Sequence, residues 1–282
     1  MDSIVLDERV SLLVTDIDSS VAIAGDFLND LLTLDINALS VGEARAAALL
    51  TPQGRIAFEL LVSRVANGFR LETEKARLDA LAKQLTLYRM RLAIAITPSD
   101  EAVVVGFGGG EAKSEGWLVD SRFAHTSHSI FRGYGDSDSK PDSALSPKEN
   151  KARYTTLRYQ NAIPEGEAEL PSTRALPLEA GFDKMGGISF DKGCFIGQEV
   201  TARIHHRGLS KQQYIGVACD TSPASPTLPS DIRANDKLVG TLLGVVANDD
   251  GIVGLAVVRR EALGSTPPLV FMAGECRLTP LV

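Results

Sequence analysis

The sequence predicts an α+β fold with more than one structural unit, and three observations carry that prediction. The chain has 282 residues, close to the ~250–300 at which a single hydrophobic core stops growing. Up to about Val105 its apolar residues alternate between the 3.6-residue spacing of amphipathic helices and short runs of strand type. From Lys211 onwards only strand-like runs occur, separated by turn-forming residues.

Taken in order, Ser11–Ile17 reads as a strand. Asp18 or Ser19 then caps a helix whose Val21, Ala24, Phe27, Leu28, Leu31 and Leu32 form one apolar stripe. Ala46–Leu50 and Ile56–Val62 are apolar runs flanking TPQGR, and Asn67-Gly68 supplies a hairpin turn into Phe69–Thr73. Lys75–Met90 has helical spacing, with Leu78, Leu81, Leu85 and Tyr88 on one face. Leu92–Ile96 and Ala102–Val105 resume strands across Pro98. Gly133–Asn150 is rich in Ser, Asp, Pro and Gly and reads as a mobile loop, after which Lys151–Gln160 is helical. Tyr214–Cys219, Lys237–Ala247 and Ile252–Val258 are strands of a small β-unit, separated by the turn-rich TSPASPTLPSD and by Asn248–Gly251.

Bulk properties exclude several classes. The apolar fraction of 44% and the charged fraction of 23% are those of a globular protein. No segment approaches the ~20 uninterrupted apolar residues of a membrane span. The N-terminal MDSIVLDERV has no apolar core for a secretory signal, so the expected compartment is the bacterial cytoplasm, or an organelle if a transit peptide has been trimmed. A net charge of −7 opposes direct binding to a nucleic-acid backbone. The three cysteines, Cys194, Cys219 and Cys276, are widely spaced and form no CxxC pair, so reduced thiols and no structural zinc site are expected.

Weaker signals have ordinary readings. GFGGG at Gly106–Gly110 follows a strand but does not open an apolar-faced helix, which favours a loop over a dinucleotide site. His125 with His128, and His205 with His206, lack a neighbouring Cys or carboxylate at metal-ligand spacing.

The informative stretch is Gly186–Gly208, GGISFDKGCFIGQEVTARIHHRG. Lys192 stands two residues from Cys194, where its charge would favour the thiolate. Gly193 and Gly197 allow a tight turn or close approach of the backbone to a flat ligand. Gln198 and Glu199 offer acceptors for ring N–H groups, and Arg203, His206 and Arg207 offer cations for carboxylates.

KGCFIGQE followed by RIHHRG resembles the signature of the YgfZ family of folate-binding proteins, paralogues of the glycine-cleavage T-protein. TLRYQNAIPEG, LPLEAGFDKMGGISF, FLNDLLTLDI and LLTPQGRI are similar to further segments of that family, so the resemblance touches most of residues 10–210. It implies a T-protein-like fold: two intertwined α+β subdomains, over residues 1–209, and a C-terminal β-barrel, over 210–282, around a central channel. It also implies tetrahydrofolate or a 5-substituted derivative as ligand. The implied function is assembly or repair of iron–sulfur clusters in client enzymes, including tRNA-modifying ones, together with client or assembly proteins as partners. Carried over, Lys192 and Cys194 are the reactive positions. Gly193, Gly197, Gln198, Glu199, Arg203, His206 and Arg207 are ligand-binding, and Arg158 of the LR segment is a partner for the folate tail. The sequence departs from the family pattern at Leu34, Ala162, where glycine is usual, and Leu176. The alternative activity is folate-dependent one-carbon transfer, for which Asp79 is the nearest acid. A folate-free scaffold is a third reading.

Overall fold

In this computed structural model, residues 2–108, 116–135, 145–220, 227–248, 251–266 and 268–281 are described. Nine strands form one sheet: β1 (Asp2–Val5), β2 (Arg9–Asp16), β3 (Glu43–Leu50), β4 (Ile56–Val65), β5 (Gly68–Glu74), β6 (Ile94–Ser99), β7 (Ala102–Gly108), β8 (Leu118–Asp120) and β9 (Ser129–Gly135). Their order is β1-β7-β9-β8-β3-β4-β5-β2-β6, antiparallel except for β3 beside β8. The fold class is therefore α+β, as the sequence predicts. Pro98 lies within β6, at the sheet edge, where a strand tolerates a residue that cannot donate to the ladder.

β3 shows why Ala46–Leu50 is apolar at every position. Ala47 and Leu49 face a core shared with α1 (Ile23–Leu31) and α2 (Leu78–Arg89), while Ala46, Ala48 and Leu50 face a second core that includes Tyr154, Leu157 and Tyr159 of α3 (Pro147–Gln160). A strand covered on both faces loses the alternation of a half-exposed one.

Two helix starts differ from expectation. α1 is not capped by Asp18 or Ser19. Asp18 accepts from the backbone of Ser20, whereas Asp16 at the end of β2 accepts the N–H of Ala24 at 2.8 Å. Val21 is consequently outside the helix and exposed. α3 begins at Pro147, four residues before Lys151, because Ser146 and Glu149 close a reciprocal capping box with Pro147 at the first turn. The expected loop thus loses both ends: Gly133–Gly135 belong to β9, and Ser146 caps α3, which takes Pro147–Asn150. Residues 136–144 lie outside the described part, as do 109–115 after the glycine-rich GFG, of which Gly106–Gly108 extend β7.

The second unit is a closed barrel of β10 (Gln212–Cys219), β11 (Ser230–Ala234), β12 (Lys237–Asn248), β13 (Gly251–Arg259), β14 (Phe271–Ala273) and β15 (Cys276–Pro280), ordered β10-β13-β12-β11-β14-β15. β11 starts within the turn-rich stretch, where pairing with β12 imposes extended backbone on residues that read as turn. Cys219 and Cys276 form a disulfide, contrary to the expectation of reduced thiols. Their separation of 57 residues is bridged by topology, since β10 and β15 pair with Cys219 opposite Leu278. α3 seats the barrel on the sheet. A bulge at Gly244 of β12 makes room for Tyr159, whose hydroxyl a side chain there would strike.

Candidate functional site

Cys194 sits on a turn anchored at both ends. Before it, the segment after α1 holds the chain: Thr33 donates its hydroxyl to the Gly187 carbonyl at 2.6 Å, and its own carbonyl accepts the Ser189 N–H at 2.9 Å. Lys192 completes this anchor. Its ammonium donates to the carbonyls of Asn29, Leu32 (2.7 Å) and Leu34 (2.8 Å), all at the C-terminal end of α1. Burial pushes the Lys192 pKa down to about 8, against the opposing pull of Asp35 and Asp30. After Cys194, Phe195 is buried in the second core, and Gly197 packs on the β3–β4 turn. Between these anchors Cys194 is exposed, and it is the one cysteine of the three with a free sulfur. The hydrogen bonds found for the Lys192 ammonium all go to Asn29, Leu32 and Leu34.

Gly197 adopts φ +80° and starts α4 (Gln198–Arg207), a helix that the sequence reading does not assign. On it Glu199, Arg203, His206 and Arg207 recur at one-turn and two-turn spacing, which places them on one stripe. All four are exposed, whereas Thr201 is buried and Val200 and Ile204 are half-buried. Gln198 is half-buried at the helix start and Gly193 is open to solvent. The residues assigned by resemblance to folate contact therefore form an outward-facing ridge beside the thiol. Phe190 stacks on His205 at 4.0 Å and approaches His206 at 6.3 Å, bracing the end of α4.

Arg158, expected from the resemblance to meet the folate tail, is not part of this ridge. Its side chain is 8% exposed and closed by Glu169, with further donation to the Ile163 carbonyl. It belongs to a buried ionic chain across the second face of the sheet. Arg9 joins Glu59 at 2.7 Å to Glu72 at 2.8 Å, Tyr134 donates to Glu72, and Arg132 lies between Glu72 and Asp120. Arg122 links Asp120 to Glu165, which also accepts from Tyr154. Sequence reasoning missed this chain because alternating charges, as in FRLETE of β5, ordinarily mark a solvent face. Asp79 is exposed in the first turn of α2.

A cleft of about 930 Å³ opens where α4 meets the barrel. Arg55, Arg174, Lys211, Arg259 and Arg260 ring it, Leu176, Ile204 and Leu209 give it an apolar lining, and Glu179 and Glu261 are its acids. None of Gln198, Glu199, Arg203, His206 and Arg207 lines it. No spacing signal unites its basic residues, which come from four distant segments. Among the described residues, no group of three or more His, Cys, Asp or Glu side chains is placed to hold a metal ion, and no helix is long and apolar enough to cross a membrane.

The sheet, helices and barrel define a protein with the glycine-cleavage T-protein fold. Over 99% of its length the structure matches the glycine cleavage system aminomethyltransferase T from Bartonella henselae, covering 84% of that chain with a TM-score of 0.72 at 13% sequence identity. The sequence is 31% identical, over 97% of its length, to the mitochondrial iron–sulfur cluster assembly factor IBA57 of Mus musculus, covering 81% of it. It is 30% identical, over 96% of its length, to the Homo sapiens protein of the same name, covering 80%. No family model matches. The chain belongs to the IBA57 family.

Proposed function

We infer that this chain is an iron–sulfur cluster assembly or repair factor that offers Cys194 as one thiolate to a cluster completed by a partner protein. The carrying observation is the presentation of Cys194, a free and exposed thiol held between two anchors on a protein whose relatives are named for cluster assembly. A cluster takes about four protein ligands, so the remaining thiolates belong to an assembly or client protein. The exposed ridge of Arg203, His206 and Arg207 suits an anionic partner such as a thiolate-ligated cluster. Clients on this reading include tRNA-modifying enzymes. The relatives' names place them in mitochondria, and the same reading gives this chain an organellar matrix, or a bacterial cytoplasm. The test is complementation of cells lacking the protein with Cys194→Ser, scored by the activity of a cluster enzyme such as aconitase. Loss of support with normal folding is expected, and full support would remove the thiol from the mechanism.

Tetrahydrofolate, or a 5-substituted derivative, is the ligand proposed for the arginine-ringed cleft. The volume is within the ~300–1,000 Å³ of small-molecule sites. Leu176, Ile204 and Leu209 suit a flat ring, and Arg174 and Arg260 suit carboxylates. Calorimetric titration with tetrahydrofolate and its 5-formyl derivative, in reducing buffer, tests it. Saturable binding that Arg174→Ala with Arg260→Ala abolishes supports the cleft, whereas no heat at millimolar ligand sinks the folate reading. The one-carbon transferase alternative is less well supported, because Asp79 is exposed on α2 and the buried acids are held by arginines.

A further inference from the structure

We propose that Lys192 is the positioning residue of Cys194, acting as a three-pronged peg that locks the thiol-bearing turn to the end of α1. The proposal rests on the reading of Cys194 given above. α1 carries no basic residue in its last turn, so its C-terminal carbonyls have no cation of their own. Lys192, more than 150 positions later in the chain, fills that place. An ammonium has three N–H donors in tetrahedral array, and three backbone carbonyls, those of Asn29, Leu32 and Leu34, converge on it.

The same short segment after α1 also holds the turn through Thr33, which accepts from Ser189 and donates to Gly187. Gly187, Ser189 and Lys192 are thus tied in succession to residues 29–34, and the tether ends two residues before Cys194. Gly193, with open space around it, is the single residue between peg and thiol. The Phe195 ring, 5.1 Å from the ammonium, packs into the core on the other side. Cys194 therefore has little freedom to move while both anchors hold, and the Lys192 anchor is made entirely of one side chain. A turn fixed in this way presents its sulfur in one orientation, which a cluster shared with a partner requires, since the remaining ligand positions are set by the partner.

The geometry separates two roles for the same residue. A lysine that activates the thiol acts through charge, so any cation serves and its loss raises the thiol titration midpoint. A lysine that acts as a peg needs three donors at one point, and its loss loosens the turn while the midpoint stays. Lys192→Met and Lys192→Arg are compared with the unmodified chain by hydrogen exchange of residues 187–197, by the pH dependence of Cys194 alkylation, and by support of a cluster enzyme. For Lys192→Met, exchange of the turn is expected to accelerate about tenfold or more. The limiting alkylation rate rises, the midpoint is unchanged and client support falls. Lys192→Arg keeps the charge but not the convergent donors, so it restores less than half of the lost protection. It carries the test alone if Lys192→Met does not fold. A raised midpoint with unchanged exchange, or an arginine variant indistinguishable from the unmodified chain, overturns the proposal. Failure of the underlying reading shows separately, as full client support by Cys194→Ser.

Discussion

Arg158 and Glu169 face each other through two parallel hydrogen bonds, of 2.7 and 3.0 Å, with both side chains less than a tenth exposed. Glu169 also accepts from Tyr159 and from the backbone of Glu165, so the pair ties α3 to the turn that follows it. Removing one partner strands the other as a buried charge, which costs about 3–5 kcal/mol. Arg158→Ala is accordingly expected to lose that much in urea unfolding. Replacing both residues with apolar ones of similar volume should recover most of it, and folate binding in the recovered protein should match the unmodified chain. If the double variant stays folded but binds no folate, Arg158 is a ligand residue after all.

Glu165 gives the network its pH dependence. Burial alone would raise this carboxyl, but Arg9, Arg122, Arg158 and Arg132 outweigh it and hold it well below the usual carboxylate range. A carboxylate depressed in the folded state stabilises fully above its unfolded pKa, ordinarily about 4.3, and that stabilisation disappears as pH falls through the folded value. Unfolding free energy should therefore decline with acidification below about pH 5. Glu165→Gln should be less stable than the unmodified chain at pH 7 and show a shallower acid slope. Parallel slopes in the two proteins would mean that other carboxylates set the acid limit.

Much of the architecture was legible because it follows from local periodicity. β2 through β5, α2, β12 and β13 stand where apolar spacing and turn residues predict them. What the sequence concealed has a common cause, namely partners on other elements that local periodicity does not reveal. The start of α1 depends on Asp16 of the preceding strand, the Cys219–Cys276 pair on barrel closure, and the buried arginines on carboxylates from four separate segments. One miss was avoidable. The capping box at Ser146–Glu149 was visible as S-x-x-E with proline at the first turn, but the surrounding Ser- and Pro-rich composition outweighed it. At the site, the signature located the thiol, and the direction of each side chain had to come from the fold. Lys192 turned away from Cys194 toward α1, and the ligand-type residues of α4 turned outward.

Ala162 is one departure from the resembled pattern whose backbone consequence is visible. It sits at φ +52°, directly after α3 and its cap, where glycine is the usual residue of the related segment. An L-residue in this left-handed region is strained by about 1–2 kcal/mol, partly offset by the backbone freedom that glycine brings to the unfolded chain. Ala162→Gly should stabilise the protein by roughly 0.5–1 kcal/mol, read as a rise in the urea midpoint at constant slope. A lower midpoint would show that the packing of its methyl group against the core outweighs the backbone strain.

Gly197 presents the opposite case, in which the backbone and the surroundings both demand glycine. At φ +80° any side chain is strained, and a Cβ there would stand 2.7 Å from the Thr51 carbonyl oxygen and 3.0 Å from Gly54 Cα. Neither atom belongs to a flexible side chain, so relief requires moving the β3–β4 turn or the start of α4. Gly54, on the facing turn, has φ +73°, but its added Cβ would meet mainly the Val200 side chain, at 3.1 Å, a contact relieved by a shift of a few tenths of an ångström. Gly197→Ala should therefore cost about 2–4 kcal/mol, combining left-handed strain with overpacking, and Gly54→Ala roughly 1–2 kcal/mol, close to the backbone strain alone. Because the anchor after Cys194 is this contact, Gly197→Ala should also speed alkylation of the thiol, while Gly54→Ala should do so less. Urea unfolding and alkylation rates on the two variants check both statements. Equal costs with equal thiol rates would mean that the close approach of α4 to the β3–β4 turn does not hold the thiol-bearing segment, leaving Lys192 and Thr33 as its anchors.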